Sequence, residues 1–196
     1  MAPKRKIILL IGDYNSNLIT IYNFQQKYKN EDLIINIYLK ILDILDECYI
    51  KYNFVHGDLN SGNILIDVLY PLTNIKLIDL EFSLIFTNDK YDVTKCSPIL
   101  NLYLELDETS IITKEFAHLF DIYTLCVIFI INMEDTSLIK YKLDNICSHT
   151  HTHTHTNSLM NFYIIYSVLC DIPKDNFIDI EKNCLNLKFK EIIKNL

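Results

Sequence analysis

The segment Glu31–Tyr52 constrains this chain more than any other. Ile34, Tyr38, Ile41, Leu45, Cys48 and Tyr52 recur at alternating steps of four and three, while Asn36, Lys40, Asp43, Glu47 and Lys51 fall on the opposite side. That is the helical period, with one dry face and one wet face. A helix this long needs partners to cover its dry stripe. Residues 116–133 are apolar almost all round and read as a buried helix. Further helical patterns follow over 137–146, 159–169 and 177–194, and residues 15–29 read as a loop and then a short helix. The short apolar runs 7–12 and 74–80 read as strands. Residues 82–115 show no strong period. Together these elements predict an α+β fold, and 196 residues suit one domain, spanning 1–196, better than two.

Composition limits the partners. The formal net charge is −7, which argues against nucleic acid, since phosphate binding needs clustered Lys and Arg. The run Pro3-Lys4-Arg5-Lys6 is short and reads as a solvated N-terminus rather than a nuclear address. The six cysteines are scattered with no C-x-x-C pair, a pattern of reduced thiols in an intracellular protein, cytoplasmic or nuclear. The longest apolar run, 123–133, is too short to span a bilayer, so no membrane association is expected. The pure His-Thr alternation at 149–156 reads as a low-complexity insertion rather than a metal site, because no supporting carboxylate pattern accompanies its imidazoles.

Chemistry concentrates after the long helix. The segment Val55-His56-Gly57-Asp58-Leu59-Asn60-Ser61-Gly62-Asn63-Ile64-Leu65-Ile66 places an Asp and an Asn five positions apart between apolar flanks. A second segment, Ile75-Lys76-Leu77-Ile78-Asp79-Leu80-Glu81-Phe82-Ser83, delivers an Asp from an apolar strand, 21 positions after Asp58. A third, Phe120-Asp121-Ile122-Tyr123, sets an Asp within the apolar helix. Singly, Asp58 and Asn63 read as turn residues, Asp79 as a strand-end cap and Asp121 as a helix cap. In this order and spacing they resemble the protein-kinase superfamily: the H-x-D-L-x-x-x-N catalytic loop, the D-F-G metal loop and the Asp of the buried helix in the C-terminal lobe.

The resemblance implies a protein-kinase-like fold, mainly the helical C-terminal lobe with a short hinge strand at 7–12. It implies ATP and Mg2+ as cofactors. Asp58 would orient the acceptor hydroxyl and take its proton, and Asn63 would act with it in catalysis. Asn63 and Asp79 would bind the nucleotide's phosphates through Mg2+, while His56 and Asp121 would support the site. Within the superfamily the chain is similar to haspin-type kinases, through Gly62-Asn63-Ile64-Leu65, a metal loop carrying Ser83 and no Gly, and Phe120-Asp121-Ile122-Tyr123. A protein substrate phosphorylated on Ser or Thr is then expected, a histone tail if haspin-like.

Several positions depart from the pattern. Gly57 replaces the usual Arg, Asn60 stands where a phosphate-contacting Lys is usual, and Glu81 replaces the metal-loop Gly. The chain holds three glycines, and no V-A-I-K lysine or Gly-rich loop is found, so the domain reads as truncated and a partner completing the N-terminal lobe is one expectation. His-Gly-Asp and Asp-Leu-Glu also resemble aminoglycoside- and choline-kinase-like enzymes, so a small-molecule phosphotransferase is an alternative. A catalytically dead pseudokinase or binding module is another.

Overall fold

The long helix is fixed at both ends by asparagine. In the computed structural model, which describes residues 17–86, 90–92, 111–133, 136–149 and 156–170, strand β1 (Leu18–Thr20) leads into helix α1 (Ile21–Lys27), and α2 covers Glu31–Tyr52. Asn30 Oδ1 accepts the Leu33 N–H at 3.0 Å, a cap worth about 1 kcal/mol. Asn53 closes the helix in the left-handed region at φ 51°, its N–H returning to the Cys48 carbonyl, a conformation Asn adopts more readily than most residues.

The buried stripe of α2 is broader than six positions. Ile35, Ile37 and Leu42 join Ile34, Tyr38, Ile41 and Leu45 in the core, and so does the charged-type residue Asp46. Tyr52, by contrast, is exposed. Helix α3 (Lys114–Asn132) is capped by Thr113 Oγ1, which accepts the Phe116 N–H at 3.2 Å. It packs against α2 and against α5 (Thr156–Leu169), while α4 (Thr136–His149) packs on α5.

Aromatic rings fill the junction of these helices. Phe129 of α3 lies 4.5 Å from the Tyr38 ring, 6.0 Å from Phe162 and 5.7 Å from Tyr166, and all four are fully buried. Each such side chain contributes about 1.5–3 kcal/mol of transfer free energy. Tyr38 keeps its hydroxyl satisfied by donating to Gln25 Oε1 at 3.1 Å, and burial pushes its phenol far above the ordinary value. By length and composition α3 qualifies as a membrane span, longer than the apolar run 123–133 suggested; two thirds of its most apolar window is buried inside the fold.

The sheets are small and antiparallel. β1, β3 (Ile64–Asp67) and β4 (Ile75–Leu77) form one, with β3 central; Ile19 faces Ile66 and Ile64 faces Leu77. β1 falls within residues that read as loop. Asp67 ties off the β3–β4 turn, accepting Leu69 N–H at 2.9 Å and Asn74 Nδ2 at 2.8 Å. β2 (Phe54–Val55) pairs with β5 (Leu84–Ile85), and β6 (Lys90–Asp92) with β7 (Ile111–Thr113). The architecture is α+β. The strand read at 7–12, the helix at 177–194 and residues 150–155 of the His-Thr tract lie outside the described residues; His149 ends α4 and Thr156 begins α5.

Candidate functional site

Two short loops meet beneath α3, and His56 is where they join. β2 delivers the first loop directly from the end of α2, and β3 takes the chain away again. β4 delivers the second loop, and β5 returns it alongside β2. Strand β4 ends earlier than the run 74–80 implied. Asp79 adopts a left-handed conformation (φ 60°, ψ 63°) and Leu80–Phe82 make a single 3-10 turn, so neither can stay in the ladder.

Every polar group of His56 is engaged. Its N–H donates to Asp121 Oδ2 at 2.7 Å. Its carbonyl accepts from Ser83 Oγ at 3.0 Å. Ring Nε2 lies 3.0 Å from the Ile78 carbonyl, which can only accept, so Nε2 carries the hydrogen. Nδ1 then receives the Asp58 N–H at 3.4 Å. Both ring nitrogens are thus engaged, and the ring is fully buried.

Asp121 holds the same loop from the helix side. Its second oxygen accepts the Gly57 N–H at 2.9 Å. The carboxyl is buried, and that burial pushes its pKa above the ordinary value, partly offset by the nearby His56, by the two amide hydrogen bonds and by His118. A carboxylate accepting two amides is a strong tether across elements far apart in sequence.

Gly57 is required by geometry at this point. Its φ is +75°, and a Cβ built there would lie 2.8 Å from the Phe82 carbonyl oxygen. A residue without a side chain here lets the second loop close on the first. Asn60 folds its own loop instead of reaching outward: Oδ1 accepts the Gly62 N–H at 2.9 Å, and its carbonyl accepts the Asn63 N–H at 3.0 Å.

Asp58 and Asn63 are joined within the first loop, and Asp79 follows the residue of the second loop that pairs with Asn63. Asn63 Nδ2 donates to the Asp58 carbonyl at 2.9 Å, which fixes the amide's orientation and keeps Oδ1 as its accepting atom. The β3–β4 ladder continues through an Ile78 N–H to Asn63 carbonyl bond of 2.9 Å, so Asp79 sits next in line to Asn63. Asn63 is buried, Asp58 half-buried and Asp79 exposed. Asp79 makes no cap hydrogen bond with the turn it opens. Among the described residues, no group of three or more His, Cys, Asp or Glu is placed to hold a metal ion.

No protein-family model matches the chain, and no curated protein matches it.

A second polar cluster lies deeper. His118 Nε2 lies 3.0 Å from Asp46 Oδ1 and 3.1 Å from Ser158 Oγ, with all three residues buried. Ser, His and Asp together invite comparison with a hydrolase triad. Here both partners address the same ring nitrogen, whereas a relay needs one on each, and the buried serine cannot meet a substrate. The cluster instead links α2, α3 and α5. The Tyr49 ring stacks on His118 at 4.1 Å, and Lys114 Nζ lies 4.2 Å from that ring and 2.6 Å from Asn53 Oδ1. The sequence carried one signal for it: Asp46, a carboxylate among the apolar positions of α2. The Ser83–His56 bond carried none beyond the position of Ser83 four residues after Asp79.

Proposed function

We propose that this chain is a kinase-like phosphotransferase that moves a phosphoryl group from Mg-ATP to a Ser or Thr hydroxyl of a protein substrate, through a site on a protein-kinase-like helical lobe. The observation that carries this reading is the joint frame of Asp121 and His56. It secures the loop that bears Asp58 and Asn63 to the loop that bears Asp79. A single Asp-x-x-x-x-Asn carries little; a buried support that unites it with a second, strained Asp carries much more.

The donor chemistry suits a hard cation. Mg2+ favours oxygen ligands and commonly takes only one or two from protein, the rest being phosphate and water. Asn63 Oδ1 and the Asp79 carboxylate would be such a pair, so the absence, among the described residues, of a group of three or more His, Cys, Asp or Glu is no obstacle. When bound, Mg2+ would neutralise charge on the phosphates. The protein's own share is positioning. Asp58 orients the acceptor hydroxyl and receives its proton. Its backbone is immobilised by the Asn63 amide on one side and the His56 ring on the other. Positioning and charge neutralisation are most of what a loose phosphoryl-transfer transition state requires.

A small-molecule hydroxyl acceptor is the second reading, favoured by the exposed Glu81 two residues after Asp79, a further oxygen donor at the metal loop. Assays against protein, aminoglycoside and choline-like acceptors separate the two.

The test of the reading is a thermal-shift titration with ATP, with and without Mg2+. Saturation at one hundred times Kd stabilises by about 2.7 kcal/mol, a rise of roughly 5–10 °C for a chain of this size. A folded chain with no Mg-dependent shift would instead be a pseudokinase or binding module.

A further inference from the structure

The loop bearing Asp79 is anchored twice on one residue. At its entry Ile78 offers its carbonyl to His56 Nε2 at 3.0 Å. At its exit Ser83 donates its hydroxyl to the His56 carbonyl at 3.0 Å, while its N–H bonds the Leu80 carbonyl at 3.2 Å. The turn between, Leu80–Phe82, contributes no buried residue. Packing therefore holds this loop weakly, and hydrogen bonds at its two ends hold it instead. The entry is backed by the β3–β4 ladder. The exit is backed by β2–β5, only two residues per strand.

We propose that Ser83 is the positioning residue of the Asp79 metal loop, its hydroxyl latching the loop to the His56 carbonyl so that Asp79 keeps its strained, metal-facing conformation. The proposal rests on the phosphoryl-transfer reading of the site. Asp79 in the left-handed region is a conformation that surrounding structure must enforce. One enforcing contact is the ladder at Ile78; Ser83 supplies the other, four residues later. With the latch gone, the exit is free to swing about β5, and the relation of Asp79 to Asn63 loosens although neither residue has changed. Thr keeps a hydroxyl on the same carbon and preserves the latch; Ala removes it.

Two measurements on the full chain test this. In the nucleotide-free and metal-free protein, Ser83→Ala speeds amide exchange at 80–84 about fivefold, the scale of one side-chain hydrogen bond, and leaves α2 and α3 protected as in wild type. In the thermal-shift assay with ATP, the Mg2+ concentration at half-effect rises about fivefold for Ser83→Ala and returns to wild type for Ser83→Thr. Unchanged exchange and an unchanged Mg2+ half-effect in Ser83→Ala, against a responsive wild type, overturn the latch alone. Equal losses in the Ala and Thr variants overturn it too, since they report crowding rather than a missing hydroxyl. A wild-type chain with no Mg-dependent response overturns the phosphoryl-transfer reading, and the positioning role with it.

Discussion

Asp121 Oδ2 accepts the backbone N–H of His56 at 2.7 Å across 65 positions of sequence, and the same carboxylate accepts the next amide, Gly57. Asp121→Asn keeps the size but replaces one acceptor by a donor, so one of the two buried amides loses its partner. The expected cost is about 1–3 kcal/mol, read as a lower urea midpoint at unchanged slope.

The same residue gives a pH signature. Burial raises the Asp121 pKa above its ordinary 3.8, so between that value and the raised one the folded chain binds more protons than the unfolded chain. Stability from this group is complete below 3.8 and declines as pH rises through the raised pKa. The stability difference between wild type and Asp121→Asn therefore shrinks from acid toward neutral pH. Urea titrations of both proteins across that range check the sign; a difference that grows with pH contradicts it.

Gly57→Ala tests the close approach of the two loops. The substituted residue keeps φ near +75° under strain, and its Cβ presses on the Phe82 carbonyl at 2.8 Å. The loss is about 1–3 kcal/mol, with faster amide exchange in both loops. At Gly62, where φ is unexceptional and the nearest atom to a built Cβ is the flexible Asn60 side chain at 3.1 Å, Ala is expected to cost less.

How far the sequence reached depends on the kind of force involved. The bounds of α2 were legible because twenty-two residues of periodic burial leave little freedom, and Asn30 and Asn53 are caps of recognisable type. The extra buried positions Ile35, Ile37 and Leu42 were not, since the width of a stripe depends on which helices cover it. The meeting of residues 55–66 with 75–83 was legible only through spacing and resemblance. What fastens them is the Ser83 hydroxyl, the His56 ring and the Gly57 approach, each a tertiary relation with no local pattern. The His118 cluster was hidden for a similar reason: His118 and Ser158 look unremarkable until three helices bring them to Asp46.

That cluster carries its own prediction. Asp46→Ala leaves the His118 ring without one of its two partners in a dry site, at a cost of about 1–3 kcal/mol. Ser158→Ala costs less, because Asp46 still holds the ring. The double variant should lose less than the two single losses added together, as contacting residues in one network do not act independently. Urea denaturation of the four proteins checks this; strict additivity would mean the hydrogen bonds are energetically separate.

Asp79 separates stability from function most sharply. It is exposed, makes no cap hydrogen bond with its turn, and occupies a left-handed conformation that Asn tolerates at least as well. Asp79→Asn should leave the urea midpoint within about 0.5 kcal/mol of wild type, as surface changes usually do. If Asp79 is the metal-loop carboxylate, the same change removes the one anionic oxygen donor of the Asn63–Asp79 pair. The Mg-dependent thermal shift with ATP should then disappear in a protein that is otherwise fully folded. An unchanged stability with an intact Mg-dependent shift would place the metal elsewhere and leave Asp79 as a turn residue only. A large loss of stability would mean that its carboxylate, not a ligand, is what holds the turn.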